Sequence, residues 1–288
     1  DIMRNFFNKK AINITESNYP LRYNIPHLIH HKKCKNVFKK PLNLPNHIYE
    51  AVQEYQKKGY VVFQSESLER ILISLEKRII EEEEKGKEIY NNIDILKNKG
   101  WTKFSEVSEL FTGDIKSLIE GILLSYFSID MAFFTKKNFG NSSNETKIWH
   151  TDSGPSTHIN VFIYLVECSS NTGATTLIDW EQTKNIIFKQ REFFKIHKKI
   201  PKKETKILWD QEVKSLIKKN NVKTFVPNVS KYSVVLFNNN LLHRAEPVKK
   251  NYLRKVLRAR ISPSKIECNK EKYISTGVMD NVDHWPIS

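Results

Sequence analysis

One short stretch, Trp149-His150-Thr151-Asp152, constrains this chain more than any other. On a strand, side chains alternate between faces, so a His and an Asp two residues apart point the same way. Two such groups can share one metal ion. A third ligand stands far downstream, His243, just after the apolar run Ser233–Phe237. Two histidines and one carboxylate occupy one triangular face of an octahedral ion and leave the opposite positions open. A His-x-Asp tripeptide alone is common, and its bland reading is a surface pair at a strand end. The context raises it. Trp149 precedes the pair, an apolar strand follows it, His243 follows another, and Arg254 comes eleven positions after His243.

The set His150, Asp152, His243 and Arg254 resembles the Fe(II)/2-oxoglutarate dioxygenases, most closely the phytanoyl-CoA dioxygenase-like branch. That branch carries a Trp-His-x-Asp motif, a distal His, and an Arg about one hairpin later. The segment Asn171–Leu177 is similar to the Asn-Gly strand that follows the metal strand in the family, and the resemblance spans about residues 127–262. Val256 stands where relatives often have a small hydroxyl residue, and Asp179-Trp180-Glu181 replaces the family's Pro-Gly-Ser-His.

The resemblance implies that His150, Asp152 and His243 are the catalytic metal ligands for Fe(II). It implies 2-oxoglutarate as co-substrate beside dioxygen. Arg254 would hold its far carboxylate, because a guanidinium binds a carboxylate with two parallel hydrogen bonds. Lys137 lies where relatives often place a second co-substrate cation; a surface lysine is the alternative. The implied reaction hydroxylates, or otherwise oxidises, an unactivated C–H and releases succinate and carbon dioxide. Asp152 argues against a halogenase, which replaces the acid with a small residue.

The chain of 288 residues has 39% hydrophobic and 11% aromatic residues, enough to bury a core. Lys and Arg number 47 against 32 Asp and Glu, a net charge of +15. That surplus fits anionic partners, or it reflects a lysine-rich surface alone. Three widely spaced cysteines, Cys34, Cys168 and Cys268, make no disulfide framework. With no apolar run long enough to span a bilayer and no signal-peptide pattern, a cytoplasmic setting is expected.

Taken in order, residues 1–58 read as a basic, proline-broken arm with one helix at about Ile48–Lys58. His27, His30, His31 and Cys34 lie within it without a second ligand pair, so a solvated loop is expected rather than a zinc site. Residues 59–126 give a strand, Gly59–Phe63, and buttressing helices at about 67–90, 104–110 and 115–124. The acidic run Glu81–Glu84 reads as a solvated helix face.

Residues 127–262 read as strands at 127–136, 146–152, 157–168, 173–179, 222–226, 233–237, 242–248 and 252–262, with a helical insertion over 182–219. Residues 263–288 form a tail. Helices first and then about eight strands carrying the ligands suggest one mainly β domain over 1–288, with flanking helices. The resemblance implies a double-stranded β-helix, the jelly-roll, cupin-like barrel.

Alternation along the last strand places Arg254, Val256, Arg258 and Arg260 on one face. If Arg254 faces the interior, so do Arg258 and Arg260. An internal carboxylate such as Glu167 or Asp179 could neutralise one; the other would be a substrate residue for a carboxylate or phosphate. A small-molecule substrate is the leading reading. The same chemistry on nucleic acid or protein is the second, and a barrel without turnover that serves as a binding module is the third.

Overall fold

A computed structural model describes residues 25–40, 42–86, 104–140, 147–152, 157–189 and 202–267. Five antiparallel strands form the major sheet, in the order β1-β5-β3-β7-β2. They are β1 Tyr60–Phe63, β2 Tyr126–Asn138, β3 Ile159–Tyr164, β5 Val234–Asn238 and β7 Leu253–Ser264. A minor sheet pairs β4, Thr175–Leu177, with β6, His243–Ala245. Isolated bridges at His150–His243, Cys168–Val229, Thr172–Val248 and Leu177–Phe225 extend it in short pieces.

The two faces of the major sheet bury different things. Ile159, Val161 and Ile163 of β3, with Leu257, Ala259 and Ile261 of β7, pack in one core with the N-terminal helices. Helix α1, Ile25–Val37, meets β7 through the His30 bond to the Pro263 carbonyl, and the helices of that core are α2 Asn46–Lys58, α3 Glu66–Glu84, α4 Ser105–Leu110 and α5 Gly113–Leu123. The intervening residues Phe162, Tyr164 and Val256 point the other way and pack with Leu177 of β4 and with Leu241. Period-two alternation thus separates a helix-backed face from a face turned to the minor sheet.

The helices follow their sequence signals. Ser65 caps α3 by accepting the Leu68 N–H, and Leu68, Leu72, Leu75 and Ile79 fall at helical spacing on its buried stripe. Helix α2 stops at Gly59, whose φ of +80° suits glycine and whose N–H returns to the Tyr55 carbonyl. A Cβ there would lie 2.9 Å from Leu241 Cδ2, so the turn also needs the missing side chain.

Three expectations change. The expected loop at His27–Cys34 is part of helix α1, and Pro26 is tolerated because it lies in the first turn. There Cys34 is fully buried, and the His30 and His31 rings bond to the carbonyls of Pro263 and Leu123. The strands expected at 146–152 and 222–226 are reduced to single bridges, His150–His243 and Phe225–Leu177. Pro227, with no N–H, helps to stop the second ladder. The acidic run is not wholly solvated: Glu82 is buried, and Glu83 pairs with Lys136 of β2 at 3.3 Å. Cys34 and Cys168 are buried and form no disulfide among the described residues, while residues 1–24, Cys268 and the rest of the tail lie outside the described residues.

Candidate metal centre

His150 and His243 exchange backbone hydrogen bonds in both directions, each 2.9 Å, and the Asp152 N–H donates to the Asn239 carbonyl at 3.0 Å. His243 is paired on its other side with Leu177. The two imidazoles therefore sit side by side, with ring centroids 4.3 Å apart. His150 Nδ1 bonds to the Ile148 carbonyl at 2.8 Å, and His243 Nδ1 bonds to the Leu241 carbonyl at 2.9 Å. A carbonyl only accepts, so Nδ1 carries the proton in both rings and Nε2 presents its lone pair. Both Nε2 atoms converge on Asp152 Oδ1, at 3.9 Å from His150 and 3.4 Å from His243. Ligand atoms of the three residues lie within 4.8 Å of one another.

The electrostatics suit a cation. Burial, followed by the neighbouring His243, pushes His150 down to about 4, so it is neutral at physiological pH. Burial pushes Asp152 up, but His243, His150 and Arg258 outweigh it and hold the carboxyl below its ordinary range. Asn160 Nδ2 donates to Asp152 Oδ2 at 2.5 Å, which orients the carboxylate and leaves Oδ1 for the ion. Two neutral nitrogens and a hard anionic oxygen, with tautomer and orientation set by their partners, fit a divalent first-row metal.

The metal strand is braced from outside. Trp149, immediately before His150, is buried; its N–H donates to Asp210 Oδ1 at 2.9 Å, and its carbonyl accepts from Trp209 Nε1 at 3.1 Å. Both partners belong to α7, Lys202–Lys219, within the stretch expected as an insertion. Arg244 covers the Trp149 ring at 5.1 Å.

Around the triad the cavity is lined by Thr135 and Lys137 of β2, Phe162 of β3, Thr175 of β4, Ala245 of β6, and Arg254 and Arg258 of β7. Lys137 and Arg254 are directly opposite across the β2–β7 ladder. Arg254 is buried, donates from Nη2 to Thr175 Oγ1 at 3.2 Å, and keeps Nε without a partner. Burial, then Arg254, Arg258 and Lys147, lower the Lys137 pKa.

Among the residues expected from sequence, His150, Asp152, His243, Arg254, Lys137 and Arg258 meet in this one cavity. Arg260 does not. Its Nε lies 3.5 Å from Asp130 Oδ2, beside His158. Neither expected carboxylate is used: Glu167 is exposed, and Asp179 accepts the Gln182 N–H at the start of α6, Trp180–Lys189. Asn160, Thr175 and Asp210 were not foreseen as site residues. The inward face of β3 could have suggested Asn160; no sequence signal marks the other two.

Known structures share this architecture. EctD from S. alaskensis, solved with 2-oxoglutarate and 5-hydroxyectoine, is 11% identical, with 74% of this chain and 75% of that chain covered and a TM-score of 0.53. Its apoform is 12% identical, with 74% and 76% covered and a TM-score of 0.52. The chain shares the fold of EctD. No family model and no curated protein matches the sequence. At such identities the likeness shows the fold alone, and the chemistry has to be argued from the cavity.

Proposed function

We propose that this chain is an Fe(II)- and 2-oxoglutarate-dependent dioxygenase of the phytanoyl-CoA dioxygenase-like branch, with a double-stranded β-helix core. It hydroxylates, or otherwise oxidises, an unactivated C–H of a small organic molecule. The observation that carries this is the convergence of two Nε2 atoms on Asp152 Oδ1 in the cavity that also holds Arg254. Three ligands on one face leave room for a bidentate co-substrate and dioxygen. The orphaned, buried Nε of Arg254 suits a carboxylate, as does the like charge of Lys137 directly across the ladder.

Bound there, a ferrous ion with 2-oxoglutarate and dioxygen would supply the oxidation of a C–H bond, one oxygen atom going to the substrate and the other to succinate as carbon dioxide is released. The chain does the positioning. His150, Asp152 and His243 would hold the ion, the Ile148 and Leu241 carbonyls keep both rings in the ligating tautomer, and Asn160 fixes the carboxylate. Arg254, with Thr175 beside it, would anchor the far carboxylate of 2-oxoglutarate, and Lys137 would add a second positive charge. Phe162 and the helix-backed sheet behind it exclude water from that end of the cavity. No helix among the described residues is long and apolar enough to cross a membrane, and a cytoplasmic setting, which keeps iron ferrous, is part of the proposal.

The test is iron-dependent succinate formation from 2-oxoglutarate by the purified chain, with a substrate screen for a gain of one oxygen in mass. Asp152→Ala should abolish succinate formation and metal retention while leaving the circular dichroism spectrum unchanged. Retained metal and retained turnover in that variant would sink the assignment.

A further inference from the structure

We infer that Arg258 holds an anionic group, a carboxylate or phosphate, of the primary substrate. The inference rests on the dioxygenase reading above and specifies the substrate class of the same cavity.

Arg258 follows Arg254 by four residues on β7, so both point to the same face, about 13 Å apart along the strand at the usual rise per residue. It lines the cavity with the triad. Among the described residues no carboxylate stands within ion-pair distance of it, and its Nε has no hydrogen-bond partner. Two aromatic rings fix it instead: its guanidinium lies 4.7 Å from the Phe162 centroid and 5.0 Å from that of Phe133. Rings of this kind hold the flat group by cation–π contact and leave its N–H edge free to bind. Arg260, on the same face, is the internal comparison. Its Nε also lacks a hydrogen-bond partner, but it lies 3.5 Å from the Asp130 carboxylate, so what sets Arg258 apart is the absence of a carboxylate within ion-pair distance.

Charge balance points in the same direction. Among the described residues, Lys137, Arg254 and Arg258 face the cavity against one carboxylate, Asp152. A divalent ion and a 2-oxoglutarate dianion would cancel each other, so a surplus of two positive charges would persist. Guanidinium groups away from bulk water are costly unless paired. Arg254 has Thr175 and the proposed co-substrate, while Arg258 has two rings and, among the described residues, no carboxylate within ion-pair distance. A substrate oxyanion completes the set and places the rest of that molecule toward the triad.

The experiment uses the full chain loaded with Mn(II) in place of iron. Binding of 2-oxoglutarate is measured first by calorimetry, and then acetate and inorganic phosphate are titrated separately, in a chloride buffer at fixed ionic strength, into the 2-oxoglutarate-bound protein and followed by thermal shift. At least one anion should stabilise the wild type saturably, and the better of the two identifies the group. Arg258→Met should weaken that anion at least tenfold and Arg258→Lys less, while both variants keep wild-type affinity for 2-oxoglutarate. The inference is overturned if neither anion binds, or if Arg258→Met leaves the anion unaffected. It is also overturned if Arg258→Met weakens 2-oxoglutarate itself, since Arg258 would then hold the co-substrate. Failure of the wild type to bind 2-oxoglutarate would remove the dioxygenase reading along with it, a result distinct from the other three.

Discussion

At the scale of single residues, the three candidate ligands owe their readiness to partners outside the triad. Two backbone carbonyls set the tautomers, and one amide sets the carboxylate. Arg254 shows the same dependence. Its neighbour on the strand face is Val256, which offers no hydroxyl, and the hydroxyl at the guanidinium comes from Thr175 on β4. Arg254→Lys keeps the charge and loses the planar fork. It should raise the Michaelis constant for 2-oxoglutarate about tenfold or more, the size expected for one charged hydrogen bond, and change that for the primary substrate much less. Steady-state kinetics with each substrate varied in turn will show this. An unchanged constant for 2-oxoglutarate would mean that another cation holds its carboxylate.

Among the elements, helix α7 has the least expected role. Asp210 and Trp209 take both backbone groups of Trp149, one residue before a ligand. Asp210→Ala strands a buried N–H, at a cost of about 1–3 kcal/mol. Because it loosens the segment carrying His150 and Asp152, metal affinity should also fall, by roughly tenfold. Asp210→Asn retains an acceptor and should restore most of both. Metal titration and chemical denaturation of the two variants will separate this from a purely local loss; equal metal affinity in Asp210→Ala and wild type would leave α7 with a packing role only.

Strand β2 matters for a different reason. Its pairing with β7 shifts register between Ile129 and Met131. Before the shift, odd-numbered Phe127 and Ile129 pack toward the helices; after it, even-numbered Ala132 and Phe134 do. The odd-numbered residues Phe133, Thr135 and Lys137 are thereby turned toward the cavity side. Without the bulge, Lys137 would face the helices. Bulges near active sites re-aim side chains in this way.

At the scale of the molecule, the N-terminal helices act as the foundation of the sheet that carries the cavity. His31 on α1 donates from Nε2 to the Leu123 carbonyl at 2.7 Å, tying α1 to the end of α5. Burial outweighs that bond and pushes His31 down from 6.5 to about 4. Between those values the unfolded chain binds more protons than the folded one, so stability is full above about pH 6.5 and declines as pH falls toward 4. The loss from this group is on the order of 3 kcal/mol at most. His150 contributes with the same sign in metal-free protein. Urea denaturation of metal-free chain at pH 7 and pH 4.5 should show the decline, and His31→Gln should flatten it. An equally steep decline in that variant would place the titration elsewhere.

Spacing, strand context and a family resemblance singled out His150, Asp152, His243 and Arg254 as a candidate set, because ligand chemistry restricts the side chains that can hold a metal or grip a carboxylate. Strand alternation was enough to put Arg254 and Arg258 on one face, since that geometry is local to the backbone. Local patterning also marked the helices α2 to α5, whose apolar stripes repeat along the chain. What alternation could not determine was whether Arg258 and Arg260 share a fate. Asp130, at the β2 bulge and more than a hundred residues earlier, neutralises Arg260 and leaves Arg258 to the cavity. The same holds for α1, which reads as a loop until β7 and α5 are present to receive its histidines. Asn160, Thr175 and Asp210 likewise acquire their roles from partners that only folding brings within hydrogen-bond reach.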